Sequence, residues 1–232
     1  MKITQEQLDE FIKCKNDIVY FAENYIQHLS IYDGVKKLEL HPYQIQVLED
    51  DILTAETSRQ IGFSACSYIK ILHTIIFHTE KTIVFYNATR DRASHSIQSI
   101  ATLFDLCTFP EILKPILTLR NKGRLGFDNG VEVMSASHIS HLRGYKISDL
   151  YLEEVDYYET PIEEILHTIF PRIRINSNPK IWAWSCPNNG NIDKVKKTLE
   201  KLKNHNHYNH SWYVIPDRDS KWKNRAKEIV GE

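Results

Sequence analysis

The amino-terminal part of the chain alternates apolar and polar residues at helical spacing. Residues 5–28 follow this pattern, which predicts an amphipathic helical region. Residues 35–40 are then expected to form a short strand. A second helix is predicted to open at His41-Pro42 and run to residue 48, because proline is favoured in the first turn of a helix.

The middle of the chain alternates short apolar runs with longer helical patterns. The apolar runs predict strands over residues 52–56, 82–86, 149–153 and 180–185. The helical patterns cover residues 64–78 and 89–104. Strands that alternate with helices favour a mostly parallel sheet with flanking helices, so we expect an α/β fold.

Two other segments depart from this alternation. In residues 117–137, Asp128-Asn129-Gly130 separates two short apolar runs, which predicts a β-hairpin. The last part of the chain is charged and rich in His, Asn and Lys, with Trp212–Val214 as a candidate last strand. Three nearby histidines are better explained by a solvated, irregular segment than by a metal site. They are His205, His207 and His210.

Composition limits the class of protein. With 232 residues and 42% hydrophobic content, the chain can bury one substantial core. We divide it into a helical segment (1–40), a core (41–215) and a charged tail (216–232). The formal net charge is -1, so a nucleic-acid partner would need a local basic patch. Scattered cysteines and the lack of any apolar run of about 18 residues predict a reduced, cytosolic protein without a membrane partner.

Residues 57–64, with the sequence TSRQIGFS, lie between a predicted strand and a predicted helix. A phosphate-binding loop occupies this position, because backbone N–H groups and a helix N-terminus there face the anion. Gly62 would leave the backbone unhindered, and Ser64 stands where a hydroxyl coordinates the magnesium ion of a nucleotide. The match to G-x-x-x-x-G-K-[ST] is incomplete, since the first glycine is absent and Phe63 replaces the lysine.

Two adjacent carboxylates, Glu153 and Glu154, lie at the end of the predicted strand over residues 149–153. A nucleoside triphosphatase needs one acid to hold magnesium and another to orient or deprotonate the attacking water. Acids also cap strand ends, so the pair alone leaves both interpretations open.

Six short motifs follow one another along the chain. They are residues 17–25 (DIVYFAENY), His41-Pro42-Tyr43-Gln44, residues 58–62 (SRQIG), Asp128-Asn129-Gly130, Arg143-Gly144 and residues 185–188 (SCPN). In this order they resemble the large terminase subunits of tailed bacteriophages, in particular the T-even-like type. The resemblance covers nearly the whole chain. It implies a P-loop NTPase fold of the additional-strand type, like that of RecA and helicases, and an ATPase that moves double-stranded DNA into a capsid.

The resemblance also implies roles for individual residues. Tyr43 and Gln44 match the adenine-binding element, and Arg59 matches an arginine whose planar donors suit phosphate oxygens. The implied nucleotide-binding set is Tyr43, Gln44, Ser58, Arg59, Gln60, Ile61, Gly62, Phe63 and Ser64. Ser64 and Glu153 match the magnesium ligands, and Glu154 matches the catalytic glutamate.

Two further motifs concern neighbouring subunits and movement. Arg143 matches a position proposed as an arginine finger that reaches the next subunit. It would equally anchor a turn by hydrogen bonding to carbonyls, and both interpretations stay open. The motif that couples hydrolysis to movement is matched by Ser185, Cys186 and Pro187.

Departures from the family pattern leave a second function open. Phe63 supplies no charge to the β- and γ-phosphates, which removes several kcal/mol of transition-state stabilisation unless Arg59 compensates. The family adds an RNase H-like nuclease domain, whereas the acids after Pro187 form no convincing metal cluster, so we expect no nuclease activity. The alternative is a catalytically degenerate terminase-like module that binds DNA or packaging partners. A helicase-like ATPase would require a second RecA-like domain.

Because both acids are present, we favour an ATPase that uses ATP and Mg²⁺ and is weakened by the loss of the lysine. The implied partners are double-stranded DNA, the portal protein and the small terminase subunit. We expect a monomer in isolation and a ring on the capsid, in the host cytoplasm and transiently docked on the procapsid. A solvated helix face explains the cluster of Lys194, Lys196, Lys197, Lys201 and Lys203 better than a DNA contact does.

Overall fold

One central sheet of eight strands organises the computed structural model, which describes residues 3–30, 34–142, 144–173, 178–216 and 218–230. Its strands are β3 (Ile52–Thr57), β4 (Thr82–Tyr86), β5 (Leu117–Arg120), β6 (Arg124–Phe127), β7 (Glu132–Ala136), β8 (Asp149–Glu153), β9 (Ile181–Ser185) and β10 (His205–His210). The spatial order is β10-β3-β9-β8-β4-β7-β6-β5. Neighbours are parallel from β10 to β7, and β6 and β5 are antiparallel. The predicted α/β class with a mostly parallel sheet is confirmed.

Helices cover both faces of this sheet. They are α1 (Gln5–Asn16), α2 (Ile18–Tyr25), α3 (Pro42–Glu49), α4 (Phe63–Phe77), α5 (Arg90–Leu106), α6 (Ile162–Ile169), α7 (Asn191–Leu199) and α8 (Ser220–Val230). Buried residues of α1 to α5 form one apolar cluster, and those of α6 and α7 form another. Alternate residues of β9 contribute to the two clusters: Trp182 and Trp184 to the first, Ile181 and Ala183 to the second. In the described parts of the chain, no helix has both the length and the apolar character needed to cross a membrane.

The predicted helical region at the amino terminus is two helices rather than one. Asp17 ends α1, and its side chain accepts a hydrogen bond from the backbone N–H of Tyr20 at 2.8 Å, which begins α2. Strand β1 (Gln27–Ser30) then pairs in antiparallel fashion with β2 (Gly34–Lys37). The strand expected at residues 35–40 is therefore present but begins and ends earlier.

The four predicted strands of the parallel sheet are confirmed as β3, β4, β8 and β9, and the helices predicted between them as α4 and α5. The hairpin is confirmed as β6 and β7. Its turn closes with a hydrogen bond from the N–H of Phe127 to the carbonyl of Val131, and Gly130 takes the positive φ of 78° that the turn requires. Helix α6 was not predicted.

The prediction for the last part of the chain was wrong. His205–His210 is not irregular but forms β10, which extends the sheet beside β3. Five of the six residues of this edge strand are partly or fully exposed, so its sequence carries no apolar pattern. Hydrogen bonds between Thr54 Oγ1 and ring nitrogens of His205 and His207, at 3.0 and 2.9 Å, add to the backbone pairing. Trp212–Val214, predicted as a strand, is a single turn of 3₁₀ helix.

Candidate nucleotide-binding site

The predicted phosphate loop joins β3 to α4 at the carboxyl edge of the sheet. Gln60 and Gly62 both adopt left-handed backbone conformations, with φ of 58° and 86°. Gly62 is the N-cap of α4 and has no side chain that could form a capping hydrogen bond. The first N–H groups of a 15-residue helix are therefore available to an external acceptor, as anion binding requires.

A cavity of about 220 Å³ lies against this loop. It is lined by residues 57–64 together with Glu154, Trp184 and Cys186. These residues come from the carboxyl ends of β3, β8 and β9, which are neighbours in the sheet. Ligands of open α/β sheets bind at this edge. The structure therefore brings the predicted loop, the second acid and part of the predicted coupling motif together.

A larger cavity of about 680 Å³ opens at the ends of β4 and β7. Its lining includes Arg90, Lys122 and a single carboxylate, Glu159. Neither the phosphate loop nor Glu154 lines it, so we place the candidate site at the smaller cavity, which both of them line.

The two acids take different environments. Glu153 is 9% exposed, and its Oε1 accepts a short hydrogen bond from Ser64 Oγ. Its other oxygen accepts from Ser96 Oγ at 3.5 Å. Glu154 has left-handed backbone angles (φ 57°, ψ 48°), and its Oε2 accepts from the backbone N–H of Cys186 at 3.4 Å. The change of backbone direction between the acids leaves one held against α4 and the other at the cavity.

Burial raises the pKa of Glu153, the hydrogen bond from Ser64 acts in the opposite direction, and the charge of Glu154 raises it further. A buried carboxylate of this kind gains from a nearby cation. Ser64 and Glu153 present the oxygen ligands that Mg²⁺ prefers, and Mg²⁺ commonly takes its remaining ligands from phosphate and water. These two residues therefore fit a magnesium ion of a nucleotide.

The three histidines that the sequence groups together lie on β10. In the described part of the chain, no group of three or more His, Cys, Asp or Glu side chains is placed to hold an ion.

Phe63 is a core residue. It is 3% exposed, and its ring centroid lies 5.4 Å from that of Trp184 and 6.0 Å from that of Trp182. From the sequence alone, Phe63 is interpreted as a replacement of the lysine that contacts the phosphates. The structure shows instead that an aromatic ring there joins the start of α4 to β9.

Arg59, the predicted substitute for the lysine, is exposed at the mouth of the cavity. A side-chain hydrogen bond with Tyr157 raises its pKa, and Cys186 contributes in the same direction. The Arg59 side chain therefore lies beside Tyr157, in the segment that follows Glu154.

Tyr43 and Gln44 lie behind the loop on α3. The Tyr43 hydroxyl donates a short hydrogen bond to the carbonyl of Ile61, and Gln44 Oε1 accepts from the backbone N–H of His41 at 2.9 Å. A Cβ on Gly62 would lie 3.0 Å from Gln44 Nε2. Both residues thus touch the loop, and their role with adenine stays a prediction.

The predicted coupling motif begins at the buried end of β9. Ser185 Oγ accepts from the N–H of Asp156 at 3.2 Å and donates to the carbonyl of Cys186 at 3.0 Å. Cys186 contacts Glu154 as described above, and Pro187 follows in the turn. The motif is therefore connected by hydrogen bonds to the segment that carries the second acid.

Two residues in contact with the site were missed from the sequence. Asp156 is buried, and its carboxylate accepts from the N–H groups of Asn188, Asn189 and Ile192 at 2.7, 3.3 and 2.9 Å. Its position three residues after the first acid was the signal available. Arg218 donates to two carbonyls of the loop from more than 150 positions away, and no sequence pattern indicates it. Arg143 lies outside the described residues.

Comparison with solved structures shows the same fold in large terminases of bacteriophages. The large terminase of bacteriophage HK97 matches with a TM-score of 0.69 and 15% identity over 94% of this chain. The large terminase ATPase domain of Thermus phage P74-26 matches with a TM-score of 0.65 and 14% identity over 84% of this chain. A large terminase from a thermophilic bacteriophage, in complex with ADP, gives 0.63 and 13% over 82%. No protein-family model matches the chain.

The coverage of these structures differs. This chain spans 90% of the P74-26 ATPase domain, but only 51% of the HK97 terminase and 50% of the ADP complex. The predicted fold, a mostly parallel sheet with flanking helices, is confirmed and is shared with these large terminases.

Proposed function

We propose that this protein is the ATPase motor of a phage large terminase of the T-even-like type, which couples ATP hydrolysis to translocation of double-stranded DNA into a capsid. The observation that carries the proposal is the meeting of the phosphate loop, Glu153 and Glu154 at one edge of the sheet. The terminase-type fold supports the same function. Two similar structures are complexes with ADP and with ATP-γ-S, which supports nucleotide binding here.

Each part of the site has a distinct task in this proposal. The N–H groups of the loop and the start of α4 bind the phosphates. Ser64 and Glu153 hold the magnesium ion, which neutralises phosphate charge when bound. Glu154, at the cavity, orients or deprotonates the attacking water. Arg59 supplies the cation that the loop otherwise lacks, and adenine lies near Tyr43 and Gln44.

Hydrolysis would reach the rest of the motor through Ser185, Cys186 and Pro187. The backbone N–H of Cys186 donates a hydrogen bond to the carboxylate of Glu154. A movement of Glu154 during hydrolysis would therefore alter a backbone contact of this motif. We propose that Arg143 completes the site of a neighbouring copy in a ring. The partners would be double-stranded DNA, the portal protein and the small terminase subunit, on a procapsid in the host cytoplasm.

One observation favours the second candidate, a terminase-like module without efficient hydrolysis. Phe63 packs on two tryptophans of β9, so the position that carries the lysine in P-loop NTPases offers no cation. In that case the fold and the DNA or partner contacts would be retained without turnover.

Calorimetric titration with ATP-γ-S in the presence of Mg²⁺, followed by steady-state ATP hydrolysis, separates the two candidates. We expect the wild type to bind and hydrolyse. In Glu154→Gln, affinity should stay within about threefold, while turnover falls by roughly 100-fold or more because the general base is lost.

Glu159→Gln is the matched control, since it removes an exposed carboxylate from the same segment and should change neither quantity. Wild-type turnover no higher than the low rate expected of Glu154→Gln would favour the module.

A further inference from the structure

The segment before α8 contacts the phosphate loop through one arginine. Arg218 Nη1 donates to the carbonyl oxygen of Arg59 at 3.3 Å, and Nη2 donates to that of Gln60 at 2.9 Å. Two successive carbonyls of the loop therefore face one guanidinium. The planar donors of arginine suit such a pair, whereas an ammonium group does not bridge it in the same geometry.

These two carbonyls belong to the part of the loop in which a residue other than glycine has a positive φ. Gln60 has a positive φ of 58°, which costs a residue with a Cβ about 1 kcal/mol and persists where the surroundings hold it. A loop that binds an anion through N–H groups needs partners for its carbonyls on the other side. The Arg218 side chain supplies them.

Arg218 is itself held by an aromatic stack. Its guanidinium lies 5.0 Å from the ring centroid of Trp222, and Trp222 stacks on Trp212 with centroids 5.8 Å apart. Upstream, the N–H of Ser58 donates to the carbonyl of His210 at 2.8 Å. The loop is thus attached to the end of β10 at its second residue, and to Arg218 near its centre.

We propose that Arg218 is a positioning residue for nucleotide binding, which fixes the Arg59 and Gln60 carbonyls outward so that the loop presents its N–H groups and the Arg59 side chain to the phosphates. This role rests on the proposed ATPase function. It also answers a need of this particular loop, which lacks both the first glycine and the lysine of the common motif.

The test compares three variants in calorimetric titrations with ATP-γ-S and Mg²⁺. Arg218→Ala should weaken binding roughly 10- to 100-fold, because two charge-assisted hydrogen bonds to the loop are lost. Arg218→Lys keeps the charge without the paired donors and should weaken binding about 3- to 10-fold. Arg225→Ala removes an exposed arginine from the following helix and should bind like the wild type.

Chemical rescue distinguishes positioning from general damage. Added guanidinium ion should restore several-fold of the lost affinity in Arg218→Ala, whereas NaCl at the same ionic strength should not. Damage to the fold would respond in the opposite sense, since guanidinium destabilises folded proteins.

Three results would each overturn the role of Arg218 and leave the ATPase proposal intact. They are wild-type affinity for ATP-γ-S in Arg218→Ala, an equal loss of affinity in Arg225→Ala, and no recovery of affinity with guanidinium ion. No nucleotide binding by the wild type would overturn both.

Discussion

Replacing Phe63 by lysine tests whether this position is a lost catalytic residue or part of the core. The change restores the lysine of the common phosphate-loop motif, so the sequence alone predicts a gain in nucleotide binding. The structure predicts a loss of stability, because Phe63 is 3% exposed and packs on Trp182 and Trp184.

The magnitude follows from the burial of the ring. Removing a buried phenylalanine side chain costs about 3–5 kcal/mol of unfolding free energy. The aliphatic part of lysine recovers some of this, but its ammonium must either be desolvated or reach the cavity. We expect a net loss of at least about 3 kcal/mol, which corresponds to a fall in Tm of roughly 6–12 °C for a protein of this size.

Urea and thermal unfolding, followed by tryptophan fluorescence, measure the effect, and ATP hydrolysis is assayed below the transition. Phe63→Leu is the control, since it keeps an apolar side chain and should cost about half as much. A Phe63→Lys protein with unchanged Tm and higher turnover would refute the reasoning. It would show that the side chain at this position reaches the phosphates.

Three further changes test other parts of the site. Gly62→Ala should weaken ATP-γ-S binding about tenfold in calorimetry, because φ is 86° and the new Cβ would lie 3.0 Å from Gln44 Nε2; wild-type affinity would contradict it. Burial raises the pKa of Glu153 in the folded protein above its value in the unfolded chain. Its ionisation therefore opposes folding as the pH rises from the unfolded to the folded pKa. Glu153→Gln should therefore add more unfolding free energy at about pH 7.5 than at about pH 4 in urea titrations, and an equal effect at both would count against it. Asp156→Ala should cost about 3 kcal/mol in the same assay, because three backbone N–H groups lose a charged acceptor; a cost under about 1 kcal/mol would mean that water replaces it.

The elements that build the site could be predicted because their signals are local. Strands β3 and β8 are short apolar runs, and the loop and the two acids lie at their carboxyl ends. In a parallel sheet the carboxyl ends of the strands lie along one edge, so the loop and the acid pair were expected to be near each other. The structure adds the contact between Ser64 and Glu153, which sequence spacing does not reveal.

The features that were missed depend on contacts between distant parts of the chain. Strand β10 has a polar sequence and is held by its pairing with β3, about 150 positions earlier. Helical spacing predicts a helix from residue 64, directly after Phe63. The tryptophans that contact Phe63 lie on β9, about 120 positions later in the chain. Nothing in the sequence distinguishes Arg218 from the other basic residues. Its role is indicated by its hydrogen bonds to the carbonyls of Arg59 and Gln60.

The packing of Phe63 indicates that the side chain in place of the lysine has a structural role, which loss of catalytic function alone does not explain. Trp184, the neighbour of Phe63, is followed directly by Ser185 and Cys186, and Cys186 contacts Glu154. The start of α4, the end of β9 and the second acid are therefore joined by an aromatic contact and a hydrogen bond. Close-packed interiors transmit small displacements, so a shift of the loop on nucleotide binding would be passed to β9 through this ring. A lysine at position 63 would add charge at the phosphates but remove that contact. If coupling of hydrolysis to movement depends on it, Phe63→Leu should hydrolyse ATP at close to the wild-type rate yet package less DNA for each ATP consumed.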